Sequence, residues 1–553
     1  MTDSPPTPTV ENPAAGRGAA PSTGAPHSLL RSSAIVGVGT MLSRLTGMIR
    51  TLSAAFVLGG TVLADGYNLA NTTPNMVYDL LLGGVLAATL VPVFVVHRET
   101  DNDAGTDAVV SVLVTGMVVL TAVALVAAPW IFRMYTWSAP GSDRVELTRV
   151  GVPLLRWFLP QILFYGLTAV GNALLNSRRR YAAAAFAPVL NNVMVICMFG
   201  SFWMLKARHQ VPSVGVVAGD PALLALLGGG TTAGIAAMAL VLWPAIRRAG
   251  IHLRWNFDLH NRAVRKVFGL SGWTLAYAFV NQVALAVVLA LANRRPGDPT
   301  AYTYAFIFFQ LPYGLFAVSL MTTIEPELSS HVARADAEGF RRQFSLGMRM
   351  LLLVMVPASI GSAVLAHPIV NALMGHGNYR KAAPVTGDLL LLFAIGMVGY
   401  TMYLYSLRMF YALRDTRTPF LLNVVENAVN IVLAVVFVFV FKWHAQGLAL
   451  AYAIAYSIGA VLALSAARRR MVRFDGRRTV AAASRIIAAA TAMGLAVAAV
   501  VRVIGPKDGF ASLIPTVVGA VVGVAVYGSL ATALDVEELR LVLGRVRRRT
   551  ARI

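Results

Sequence analysis

Charge is scarce in this chain. Asp, Glu, Lys and Arg make up 13% of its 553 residues, and the acidic share is the smaller, 25 against 47. A soluble globular domain carries about a quarter charged residues, so that class is excluded. Cysteine is nearly absent too. The single Cys197 lies in an apolar run, can form no internal disulfide and says nothing about redox compartment. No P-loop, HExxH, GxSxG or paired-cysteine site occurs. His209, His252, His260, His331, His367, His376 and His444 fall mostly in loops without metal-ligand spacing. Enzyme chemistry therefore has no motif to rest on, and no cofactor is expected. Residues 1–31, rich in Pro, Ala, Gly, Ser and Thr, lack what a core needs and read as a disordered cytoplasmic tail. No apolar stretch precedes Ser33, so they do not read as a signal peptide.

What the chain does have is length of apolar run. Apolar residues reach 57%, and stretches of about 20, enough to cross a hydrocarbon core, recur from Ser33 onward. The fold class is an all-α polytopic membrane protein with about 14 transmembrane helices. A membrane β-barrel would show short alternating segments instead. Spans are predicted near 32–58, 65–97, 106–135, 147–176, 182–205 and 219–246, then near 264–293, 300–330, 342–373, 385–413, 418–441 and 445–467. A final pair lies near 480–504 and 510–534.

The net charge of +22 resembles a nucleic-acid footprint, but its distribution argues otherwise. Arg178–Arg180, Arg247 to Lys266, Arg334 to Arg342, Arg414 with Arg417, the run Arg468 to Arg478 and the C-terminal LGRVRRRTARI all fall on one side of the predicted spans. The opposite loops hold pairs at most, such as Arg294 with Arg295. Short-loop cations mark the cytoplasmic side. This predicts a multi-pass membrane protein with both termini cytoplasmic and no nucleic-acid partner.

The two six-span blocks resemble each other. Pro188, Leu190, Asn192 and Val193 recur 231 residues later as Pro419, Leu421, Asn423 and Val424. The second helix of each block carries an early and a late proline, Pro74 with Pro92 and Pro312 with Pro326. Paired repeats with proline-interrupted helices suggest a transporter alternating access between two pseudo-symmetric lobes. The organisation read from this is an N-lobe at 32–246, a cytoplasmic linker at 247–263 and a C-lobe at 264–470. A helix pair at 479–534 and a basic cytoplasmic tail at 535–553 follow. With no ATP-binding motif, a coupling monovalent cation or the membrane potential would drive the cycle.

Charges inside spans are the functional candidates, because each costs several kcal/mol unless compensated. The first span carries Arg44 and Arg50. On a helix they are about 9 Å apart along the axis and about 120° apart around it, so they line one broad wall. They either face a water-filled cavity with an anionic visitor or pair structurally. The second span holds Asp65, Asn68, Asn71 and Asn75 at 3-3-4 spacing, one polar stripe; Asp65, near the outer mouth, is either a site residue or an interfacial one. Arg156 and Arg408 are further cavity candidates. Glu325 and Glu327 meet water at a helix end, and Arg349 sits near a helix start. Glu426 with Asn423, Asn427 and Asn430 forms a second patch, read as helix–helix hydrogen bonding or as a cation or proton site.

With these residues in view, the chain resembles the MurJ/MviN family of lipid II flippases, of the multidrug/oligosaccharidyl-lipid/polysaccharide exporter superfamily. The resemblance runs from about Met41 to the end. Its marks are SRLTGMIR with Asp65 beyond it, NTTPN (Asn71–Asn75), LNSRRRYAAAAFAPVLNN (Leu175–Asn192), QLPYGLFAVSLMTTIEPELS (Gln310–Ser329) and FYALRDTRTP (Phe410–Pro419). It implies that Arg44, Arg50 and Asp65 are the family's essential residues and that a cationic cavity receives the diphosphate head of lipid II. The prenyl chain would stay in lipid, in a groove made by the 480–534 pair. Partners would be lipid II, membrane lipids and cell-wall synthesis proteins. Two usual cavity arginines are replaced by Tyr78 and Ile307, with Arg156 or Arg408 as substitutes. The basic loops and tailed N-terminus resemble actinobacterial members. The rival expectations are another exporter of the superfamily, polysaccharide-lipid or drug, and a non-transporting scaffold for cell-wall enzymes.

Overall fold

The computed structural model describes residues 26–80, 87–100, 103–207, 210–269, 272–470 and 476–541, and all regular structure among them is helical. The first group is α1 (Pro26–Leu58), α2 (Val62–Leu80), α3 (Ala87–Glu99), α4 (Asp103–Thr136), α5 (Gly141–Phe158), α6 (Gln161–Ser177) and α7 (Tyr181–Phe202). It closes with four short helices, α8 (Val214–Gly219), α9 (Pro221–Leu224), α10 (Gly230–Leu240) and α11 (Leu242–Arg248). A short α12 (Arg262–Gly269) leads to the second group. This holds α13 (Gly272–Ala292), α14 (Asp298–Pro312), α15 (Val318–Ala333), α16 (Ala337–Val364), α17 (Ala366–Met374), α18 (Ala383–Ala412), α19 (Arg417–Phe439) and α20 (His444–Arg470). The last two are α21 (Gly476–Ile504) and α22 (Leu513–Ala533).

Thirteen helical stretches among the described residues are long and apolar enough to cross a membrane, against about fourteen expected. The difference falls on the second predicted span, which is described as α2 and α3, with 81–86 outside the described residues. Proline shapes several spans. Pro160 separates α5 from α6, and Pro312 is followed by a π turn over Tyr313–Ala317, as expected where a missing N–H frees carbonyls of the preceding turn. The apolar side chains left exposed on α4, such as Val123, Val126, Trp130 and Met134, would face lipid.

The two groups pack by one plan. α1 lies on α7 as α13 lies on α19; α2 meets α5 as α14 meets α18; α7 meets α10 as α19 meets α20. The α21–α22 pair leans on α16 and α17. Hydrogen bonds that join the groups cluster at the ends away from the arginine-rich loops. Asn378 Nδ2 donates to Val57 O (2.8 Å), Asn293 Nδ2 to Tyr135 O (2.8 Å), and Ser138 Oγ to Ala290 O.

One expected boundary differs, and two expected segments prove to be packed. α1 starts at Pro26, so the segment foreseen as disordered to residue 31 ends in helix; its residues 1–25 lie outside the described set. The 247–263 linker is clamped to α4: Arg254 N donates to buried Asp107 Oδ1 (3.1 Å) and Asn256 N to Ser111 Oγ (2.9 Å). The basic tail expected from 535 is packed over its described part. A helical turn at 537–541 buries Glu538 at 2% exposure against Arg349 (2.6 Å). Arg349 lies twelve residues into α16 rather than near its start, and the carboxylate satisfies its charge.

Candidate functional site

Arg44 and Arg50 stand on α1 with no ion pair or hydrogen bond among the described residues. Arg44 is exposed, and its head crosses to the other lobe. A Cβ on Gly314, in the π turn after Pro312, would lie 2.9 Å from its Nη1. Glycine there leaves the guanidinium room against the backbone. Arg50 is half-buried, and its field reaches the phenols of Tyr67 on α2, Tyr165 on α6 and Tyr304 on α14. A guanidinium with no ion pair or hydrogen bond among the described residues is equipped to take an oxyanion bidentately.

Asp65 is not free in this space. It is 2% exposed and accepts hydrogen bonds from Gly297 N (2.6 Å), Thr300 N (3.1 Å) and Thr300 Oγ1 (2.6 Å). A carboxylate on α2 of one lobe thus satisfies the first turn of α14 in the other, where helix amides have no internal partner. Gly297 holds φ +88° there, a left-handed conformation natural to glycine. Asn68 Nδ2 adds a bond to Thr300 Oγ1 (3.1 Å). The polar stripe of α2 therefore divides. Its Asp65–Asn68 half bonds to the other lobe, while Asn75 stays within its own lobe, accepting from Tyr165 OH (2.6 Å) and donating to Asn71 O (2.9 Å). Asn71 Oδ1 is buried without a partner.

The other two candidate arginines differ in their surroundings. Arg156 lies opposite the buried face of α5 formed by Leu147, Val150, Gly151, Leu154, Leu155 and Phe158, and it is exposed. Arg408 is paired with Glu325 (3.0 Å), so its charge is already balanced and Glu325 does more than meet water.

The second polar patch is a knot. Glu426 is fully buried; Asn427 Nδ2 donates to its Oε2 (2.9 Å) and to Asn281 Oδ1 (3.0 Å), which also receives Asn423 Nδ2 (2.9 Å). Glu426 Oε1, Asn423 Oδ1 and Asn430 Oδ1 remain buried without donors. Sequence reasoning missed Asn281, Gly297, Thr300, Gly314 and Glu538. All act across the lobes or between distant helices, and no local pattern signals that.

Residues 54–519 match the family model described as lipid II flippase MurJ. A probable lipid II flippase MurJ of Thermotoga maritima is 26% identical over 524 residues, covering 94% of this chain and 99% of its own. The one of Vibrio cholerae is 26% identical over 480 residues, covering 84% and 88%. A solved structure, lipid II flippase MurJ in an inward closed conformation, superposes with a TM-score of 0.72 at 20% identity, over 90% of this chain and 99% of that one. With the family model covering most of the chain, on a multi-pass helical fold with matched lobes, this chain belongs to the lipid II flippase MurJ family.

Proposed function

We propose that the chain moves lipid II across the bilayer by rocking its two lobes about Arg44 and Arg50, with the diphosphate head held between them. One observation carries this reading: two guanidiniums on one spanning helix with no carboxylate partner among the described residues. A charge left uncompensated there is costly, and a diphosphate offers the acceptor oxygens that would compensate it. Asp65 acts as the outer latch. With Asp65, Asn68 and Asn378 engaged, the lobes are joined at the end away from the basic loops. Loading occurs from the side of the basic loops, taken as cytoplasmic with both termini, and release occurs when the latch opens. An apolar cavity of about 460 Å³ lies between α1, α7 and α17 and is bordered by Phe510 of the α21–α22 connection; it suits the prenyl chain. The Glu426 knot, rich in acceptors, suits a coupling monovalent cation or proton. Glu426→Gln should then alter the cation or pH dependence of transport.

The test is complementation in cells depleted of their own flippase. Arg44→Ala or Arg50→Ala should abolish growth, with lipid II accumulating in the inner leaflet while the variant remains in the membrane. Full growth with both variants would remove the reading. Arg50→Lys separates two mechanisms: loss of function points to the bidentate fork, retention to charge alone.

A further inference from the structure

The arginine-rich face holds five neighbouring arginines at the ends of α6 and α11, and the structure sorts them. Arg178 Nη1 donates to Ala249 O (3.4 Å), tying the two helix ends together. Arg247 lies over the Trp243 ring, 5.1 Å from its centroid. The remaining three, Arg179, Arg180 and Arg248, make no side-chain hydrogen bond or ion pair among the described residues. They line one cavity of about 300 Å³, with Ile35 of α1, Tyr181, Ala182, Ala183 and Ala245. No carboxylate lines it. Three like charges around one cavity repel unless an anion sits among them.

The other lobe supplies an internal control. Arg179 and Arg414 both hold left-handed backbone just past a helix end, at φ 57° and 59°. The next residues, Arg180 and Asp415, make the same bond, to Leu175 O and Phe410 O. The structural counterpart of Arg180 is therefore Asp415. There the carboxylate takes Thr418 N (3.0 Å) at the start of α19 and Arg470 Nη2 (3.2 Å) at the end of α20. In the first lobe arginine replaces that carboxylate. Arg248, at the end of α11, loses the partner that Arg470 has, and α7 begins without a side-chain cap. α7 also starts seven residues before Pro188, whereas α19 starts two before Pro419, so an extra turn walls the cavity.

Depth identifies the visitor. The span Tyr181–Lys206 has 26 residues, about 39 Å at 1.5 Å each, against a hydrocarbon core of about 30 Å. The excess, at an end rich in arginine, puts the first turn within reach of the headgroup layer. We propose that Arg179, Arg180 and Arg248 bind the phosphate of an anionic phospholipid headgroup at this face. The site is distinct from the Arg44–Arg50 wall. Bound lipid braces α1, α7 and α11 at their shared end.

The test is native mass spectrometry of the full-length, delipidated protein titrated with dioleoylphosphatidylglycerol, and separately with dioleoylphosphatidylcholine. Arg179→Gln/Arg180→Gln/Arg248→Gln should weaken the first phosphatidylglycerol bound by about tenfold or more and leave phosphatidylcholine unchanged. A control triple on the same face, Arg417→Gln/Arg468→Gln/Arg469→Gln, should leave that first site intact. Equal losses in both triples, or none in the first, overturn the site in favour of diffuse attraction. Inorganic phosphate should not displace the lipid at equal molar concentration; displacement would reassign the cavity to a soluble anion. Arg180→Asp guards against misfolding, since it rebuilds the other lobe's arrangement. It should abolish the site with an unchanged or raised melting temperature, and retained binding would overturn the proposal.

Discussion

At the residue scale, the proposed site rests on which cations stay unpaired. Arg408 and Arg349 have carboxylates; Arg44 and Arg50 have none among the described residues. The Gly314 contact makes a graded test. A methyl there meets only the movable tip of Arg44, so Gly314→Ala should be tolerated. Gly314→Leu should displace the guanidinium and lose complementation while membrane levels hold. Asp65→Asn removes one of the acceptors that Gly297 N and Thr300 use. Hydrogen bonds to a charged group contribute about 1.5–3 kcal/mol, so amide exchange at 297–301 should speed up by about tenfold or more. Unchanged exchange would mean the latch adds nothing.

At the element scale, termini matter more than propensity. α16 begins at Asp336, whose carboxylate accepts from Gly339 N (2.8 Å) and lies 2.9 Å from His331 Nδ1. The Gly339 amide first, then His331, hold its pKa below the ordinary value of 3.8. A depressed acid contributes stability above its unfolded pKa and loses it as pH falls through the lower, native one. Melting temperatures of the native chain and of Asp336→Ala should therefore differ near pH 7 and converge well below pH 4. A difference constant with pH would exclude the ionised cap. Most of these elements were readable: apolar length marked the spans, and the prolines marked where they bend. Their ends were not, because Pro26 as a start and the clamp of 254–256 on α4 depend on what packs alongside.

At the scale of the whole molecule, two long-range devices set the behaviour. The first is the buried Arg349–Glu538 pair, which fastens the turn after α22 to α16. Removing one partner of such a pair costs about 3–5 kcal/mol, while replacing both by apolar groups costs far less. Arg349→Met should lower the melting temperature sharply, and Arg349→Met/Glu538→Leu should recover most of the loss. The second is the seam between the lobes at Asn68 and Thr300. In a Cys197→Ser background, Asn68→Cys with Thr300→Cys, bridged by a short bifunctional reagent, should stop transport. Continued flipping after complete cross-linking would show that the lobes need not part there.

The sequence by itself determined the membrane, the number of spans to within one, the doubled architecture and the two arginines of α1. These follow from composition and local spacing, which the chain carries without folding. Tertiary structure decided the rest. It bonded Asp65, read as either a site or an interfacial residue, to the first turn of α14, balanced Arg408 with Glu325 and left Arg156 on the exposed face of α5. It also found Glu538 a buried partner inside what read as a basic tail. Each outcome depends on a partner tens to hundreds of residues away. Whether a buried charge is free or satisfied is a property of the pair, and one-dimensional pattern records only its members.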